Sequence, residues 1–157
     1  MVMESSLTVI SLVKRLHLSA RAAIDAALLP LGVSAAQFAA LRRLNEDAEL
    51  TGAELARELF VTAQTMSRTL SRLEQTGLIE RSVRSDNPNS TQNRLTPKGI
   101  DVVEAGRKIV QTIADQVLSP LSDDGRPRFE AALVQCIAVA ETLPGVDQLA
   151  AERECKT

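Results

Sequence analysis

Apolar residues near the start of the chain fall into two stripes with helical spacing. One runs Ile10, Val13, Ala20, Ile24 and takes in His17; the other runs Val9, Leu12, Leu16, Ala23, Ala27. A period of 3.6 predicts a helix over residues 5–29, ended by Pro30 and Gly32. Two stripes imply burial on more than one face, more than a single neighbouring helix can cover.

Further along, the punctuation is capping chemistry. Ser34 with Gln37 forms a capping box ahead of Phe38, Leu41 and Leu44, and Thr51 with Glu54 forms another ahead of Leu55, Leu59 and Phe60. Thr62 is the expected N-cap of the next helix and Gly77 its C′ residue, with Met66, Leu70 and Leu73 on the inward stripe. The link from Phe60 to Thr62 has room only for a tight helix-turn-helix. Leu78–Val83 has strand-like alternation, with Leu78, Ile79 and Val83 available to the core. Asp86–Asn93 has a turn composition, and Arg94–Thr96 can return as a second strand.

Thr96 followed by Pro97 starts another helix, expected to reach about Leu118 with Val102, Val103, Ile109, Val110, Ile113 and Val117 apolar. Pro120 breaks it. A last helix over about Asp123–Leu143 is expected to bury Phe129, Leu133, Cys136, Ile137 and Ala140, and the charged tail after Pro144 to fray.

The helix after Thr62 is the informative one. Opposite its apolar stripe it carries Gln64, Thr65, Ser67, Arg68, Ser71 and Arg72, short hydrogen-bonders with two arginines. A helix in the DNA major groove needs this chemistry, since Arg reads guanine and Gln reads adenine. The pattern therefore predicts a mainly α fold with a small β-wing, a winged helix-turn-helix over residues 31–99. It is flanked by a helical dimerisation region, 1–30 and 100–145, and a tail, 146–157. The flanking helices have more apolar surface than one small chain can cover. A two-fold dimer covers it and holds two recognition helices near one DNA turn apart, about 34 Å.

Composition agrees. Of 157 residues 45% are hydrophobic but only 2% aromatic, so the core is built of Ala, Leu, Val and Ile, which suits helix packing. The net charge of −2 divides unevenly: residues 51–99 carry +2 and the remainder −4, concentrating positive charge at the proposed DNA contact. Lys14, Arg15 and His17 interrupt any leader-like apolar run, and no stretch of about 18 apolar residues offers a membrane span, so a cytoplasmic protein without a membrane partner is expected. Cys136 and Cys155 lack metal-ligand spacing, and no metal or cofactor is expected. Nothing supports an enzyme: there is no Gly-rich phosphate loop, no paired carboxylates on a common face, and only one histidine for any Ser/His/Asp arrangement.

The segment LARELFVTAQTMSRTLSRLEQTGLIER and the LTPKG that closes the wing resemble the MarR family of bacterial transcription regulators, and the resemblance extends over about residues 7–143. It implies a homodimer that binds a pseudo-palindromic operator, usually as a repressor. Release is by a small, often aromatic or anionic ligand held between the helix-turn-helix and the dimer region. Most members carry an Asp-x-Arg pair in the wing. Here the only loop aspartate, Asp86, is followed by Pro88, and Arg84 or Arg94 stands in. The peroxide-sensing members use a cysteine in the first helix, and none is present there, so oxidation sensing is not expected.

The candidate DNA-binding set is Thr62, Ala63, Gln64, Thr65, Ser67, Arg68, Ser71, Arg72, Arg84, Arg94 and Lys98. Arg68, Gln64 and Thr65 are expected on base edges, and Ser71 and Arg72 on phosphate. Arg84, Arg94 and Lys98 are expected on phosphate or in the minor groove, each supporting about one unit of salt slope. Candidate effector contacts are Arg15, His17 and Arg21; for His17 a core or interface histidine is the first reading and an effector contact the alternative. Gly106 in mid-helix either allows close approach at the dimer seam or permits a bend. The rival to a regulator is a dimeric interaction scaffold without specific DNA binding.

Overall fold

Ser34, Thr51, Thr62 and Thr96 each close the N-terminus of a helix, and these caps set the spacing of the fold. In the computed structural model, which describes residues 2–83 and 91–144, the elements run α1 (Val2–Leu28), a 3₁₀ turn (Leu29–Leu31), α2 (Ala35–Glu46), α3 (Gly52–Glu58), α4 (Ala63–Gln75), β1 (Ile79–Val83), β2 (Thr91–Leu95), α5 (Pro97–Val117) and α6 (Gly125–Glu141). Both capping boxes form. The Ser34 hydroxyl accepts from the Gln37 amide at 3.2 Å while Gln37 accepts from the Ser34 amide at 2.9 Å, and Thr51 and Glu54 repeat the exchange. The Asp25 carboxylate accepts from the Ala35 amide at 2.6 Å and so ties α1 to the start of α2. Arg84, the Asp86–Pro88 loop, and the tail 146–157 with Cys155 lie outside the described residues.

The core belongs to the helix-turn-helix unit. Leu28, Phe38, Leu41, Leu44, Leu55, Met66, Leu70, Leu73, Leu78, Ile79 and Val103 are buried together, drawn from the end of α1, α2, α3, α4, the start of the wing and the first half of α5. Gly106 has a purpose the sequence left open. A Cβ there would lie 2.2 Å from Cε2 of the buried Phe38 ring, so glycine lets α5 close on α2 within one chain. A helix-interior glycine costs about 1 kcal/mol relative to alanine, and here that loss secures the seat of a buried phenyl ring.

Four expectations are corrected. Phe60 is neither in α3 nor in the core: the helix stops at Glu58, and Phe60 sits in the turn at φ 54°, 72% exposed. The backbone must reverse left-handedly here to start α4, which turns the ring outward. A β-carbon in that conformation costs about 1–2 kcal/mol, so Phe60→Gly is expected to change stability by no more than about 1 kcal/mol, relief of the strain being opposed by loss of the side chain's own interaction and by glycine's entropic penalty. Thermal unfolding of the two proteins at equal concentration checks this.

Val83, expected in the core, is 67% exposed: it shares a face with the buried Ile79, but burial fades along the strand toward its outer end. The return strand begins at Thr91 rather than Arg94, pairing Val83 with Thr91 and Ile79 with Leu95 in an antiparallel register. That register turns Asn93 inward opposite Arg81, where it is 1% exposed and its side-chain amide has no hydrogen-bond partner among the described residues.

α6 differs from expectation as well. No residue of this helix is buried by its own chain; Phe129 and Leu133 are half-buried and Cys136, Ile137 and Ala140 are exposed. Cys136 is thus not a core residue of the single chain. α6 is tethered to α5 by the Arg126–Asp115 pair at 3.2 Å. Along the first two thirds of α1, Leu7, Val9, Ile10, Leu12, Val13, Leu16 and Leu18 are exposed as well. Among the described residues no single helix is long and apolar enough to cross a membrane.

At the far end of α2, Arg43 bridges Glu46 at 2.6 Å and Glu58 of α3 at 2.7 Å, and Arg42 and Arg107 of α5 also approach Glu46. The Arg43 hydrogen bond holds the Glu46 carboxyl below its ordinary range. A depressed carboxylate stabilises the fold above its unfolded pKa, and that contribution disappears as pH falls through the folded value.

Candidate nucleic-acid interface and the cavity behind it

α4 starts on a cap that uses the same two threonines twice. The Thr62 hydroxyl accepts from the Thr65 amide at 3.1 Å and donates to the Thr65 hydroxyl at 2.9 Å. Met66, Leu70 and Leu73 are sealed into the core. At 100° per residue, Gln64, Arg68, Ser71 and Gln75 then point away from the core, and Thr65, Thr69 and Arg72 lie on the flank toward α2. Gln64, Thr65, Ser67, Arg68 and Arg72 are exposed, and Ala63 and Ser71 half-buried. Arg68 and Arg72, with Ser34 and Gln37 from the start of α2, line an open polar groove that also takes in Thr65 and Thr69. Among the described residues neither arginine has an ion-pair partner, so both guanidinium groups are available to an anionic ligand.

The wing is held on one side by the Gln92 amide, which donates to the Glu49 carboxylate in the α2–α3 loop at 2.8 Å. Arg94 stands on the outer face of β2, exposed and opposite Glu80 in the register. Lys98 is placed differently from Arg94. Its ammonium donates to the Thr76 carbonyl at 3.0 Å, behind the C-terminal end of α4.

Behind the exposed face of α4 lies a cavity of about 460 Å³. Its walls are His17, Ala20, Arg21 and Ile24 of α1, Ala35, Ala36 and Ala39 of α2, and Leu59, Val61, Thr65, Met66 and Thr69 of the helix-turn-helix. His17 and Arg21 are brought together because residues four apart share a helix face. Arg15 is not: two residues from His17 is 200° around the helix, and Arg15 lies beside Leu7, Ser11 and Leu12 instead. The helical angle alone could have separated Arg15 from the other two. The Arg21 guanidinium is 3.9 Å from Asp25, whose other oxygen is taken by the Ala35 amide, so the pairing is loose. Ala35, Ala36 and Ala39 present only methyl groups to the cavity, so this wall leaves room for a planar ring. Thr65 and Thr69 border both the cavity and the polar groove, so one helix turn separates the two.

Comparison with known proteins agrees with this arrangement. The MarR family model matches residues 31–87. HTH-type transcriptional repressor Rv2887 of Mycobacterium tuberculosis is 32% identical over 113 residues, covering 72% of this chain and 81% of that protein. A crystal structure of Rv2887 in complex with DNA superposes with a TM-score of 0.66 at 30% identity, over 80% of this chain and 94% of the other. A structure of Rv2887 with salicylic acid superposes equally well, at 0.66 and 30%, over 80% and 93% of the two chains. The capped helix-turn-helix, the paired wing and the flanking long helices are thus those of a known lineage, and the chain belongs to the MarR family.

Proposed function

We propose that this protein is a homodimeric transcriptional repressor that binds a pseudo-palindromic DNA operator and is released by a small aromatic or anionic ligand. The observation that carries the reading is the outer face of α4, where Gln64, Arg68 and Arg72 stand exposed on a helix whose other face is locked into the core. Residues 31–99 bind the duplex, with Thr62, Ala63, Gln64, Thr65, Ser67, Arg68, Ser71 and Arg72 at the major groove. Arg84 and Arg94 serve the wing. Residues 1–30 and 100–145 form the dimer, in which a second copy covers the apolar surface of α1 and α6. Such a repressor acts in the cytoplasm, where its operator is.

The effector reading rests on the cavity behind α4 and on the relative solved with salicylic acid. A planar acid fits against the alanine wall with its carboxylate toward Arg21 and His17. Anything wedged there presses on Thr65, Met66 and Thr69, and so displaces the helix that reads DNA. Arg15 does not line this cavity in the single chain.

Selection of bound sequences from a random duplex pool tests the reading and yields the half-site spacing. Recovery of a two-fold symmetric site is expected; recovery of none removes the proposal in favour of a scaffold. On the recovered duplex, Arg68→Ala is expected to lose about 1–3 kcal/mol of specific affinity and to relax preference at one base position. An unchanged footprint and affinity would show that Arg68 is an ordinary solvated residue. Salicylate added to the complex is expected to release the duplex, and less effectively from an Arg21→Ala variant.

A further inference from the structure

We propose that Lys98 is a positioning residue, which sets the pitch of the recognition helix from behind through the Thr76 carbonyl and does not grip phosphate. The inference rests on the regulator reading above. Three successive carbonyls, at the C-cap of α4 and the two residues after it, are taken up by Thr96 and Lys98 at the start of α5. Lys98 Nζ donates to Thr76 at 3.0 Å, the Thr96 hydroxyl to Gly77 at 2.7 Å, and the Thr96 amide to Leu78 at 3.1 Å. The last carbonyls of a helix lack partners of their own and carry partial negative charge, so an ammonium ion placed there is held electrostatically.

The joint is also well placed mechanically. α5 packs along α1 and α2, the elements that carry the rest of the scaffold, so its first turn is a rigid base. In a two-fold complex both recognition helices must enter successive grooves at one separation. The Thr96 and Lys98 contacts fix how α4 tilts relative to that base. Lys98 therefore acts on DNA through α4, and its loss widens the range of half-site spacings the dimer tolerates.

The test uses the full chain and the duplex recovered by selection, together with the same duplex lengthened or shortened by one base pair between half-sites. Affinities are measured across a salt series for wild type, Lys98→Met, Lys98→Arg and, as a phosphate-contact control, Arg72→Ala. Lys98→Met is expected to bind about two- to fivefold more weakly at every salt concentration, with a slope equal to wild type. Its penalty for altered spacing is expected to shrink, and Lys98→Arg to restore both properties.

A slope reduced by about one, as expected for Arg72→Ala, would make Lys98 a phosphate ligand and overturn the proposal. Unchanged affinity would overturn it too, and so would weaker binding with an undiminished spacing penalty. A pool that yields no bound duplex removes the regulator reading itself, an outcome separate from all of these.

Discussion

Gly99→Ala is expected to destabilise the protein by about 3 kcal/mol, which lowers the unfolding midpoint by about 6–12 °C in a chain of this size. Gly99 is buried in the first turn of α5, and a Cβ built on it lies 2.1 Å from the Leu78 carbonyl oxygen and 3.1 Å from its carbon. Neither atom is the loose end of a side chain. To make room, α5 must retreat from the end of α4, which breaks the Thr96–Gly77, Thr96–Leu78 and Lys98–Thr76 hydrogen bonds together. The gain in helix propensity from glycine to alanine is about 1 kcal/mol and does not offset this. Circular dichroism melts at equal protein concentration measure the effect. A Gly99→Ala protein as stable as wild type would mean that the close approach of α4 and α5 is dispensable.

This joint also shows what the sequence could and could not reveal. Ser34, Thr51, Thr62 and Thr96 were legible as caps because a cap is local: the acceptor and the amide it serves lie three residues apart. The stripe Met66, Leu70, Leu73 was legible for the same reason. Phe60 was misread because it continues the apolar pattern of α3 beyond the residue at which the backbone turns left-handed, and nothing nearby signals the reversal. The start of β2 was hidden by its own polarity. Thr91–Asn93 looks like loop, and only pairing with Arg81–Val83 makes it strand.

Long-range partners account for the rest. Lys98 finds Thr76 across 22 residues of sequence, and the alanine wall of the cavity exists only once α1 and α4 pack on either side of it. Arg15 was grouped with His17 and Arg21 by nearness along the chain, when the helical angle separates them. The exposed sides of α1 and α6 were legible as apolar, yet the single chain does not cover them. Under the proposed function, that cover is the second copy.

The largest effect on DNA binding is therefore expected far from the DNA. A chain carrying both Leu12→Glu and Ile137→Glu is expected to be monomeric and to bind the full operator about 10²–10⁴-fold more weakly than wild type, the advantage of engaging two linked half-sites. Leu12 is 49% and Ile137 54% exposed in the single chain, so neither substitution buries a charge in the protomer's own core. In the dimer each would place an unpaired carboxylate in an apolar seam, and burying such a charge is strongly unfavourable. The two recognition helices would then search independently. Sedimentation gives the mass, a thermal melt shows whether the protomer fold persists, and titration against a single half-site separates the two levels. The monomer is expected to retain its weak half-site affinity, because Gln64, Arg68 and Arg72 are untouched. A variant that stays dimeric, or a monomer that binds the full operator as tightly as wild type, would break the link between the apolar helices at the chain's two ends and the polar face between them.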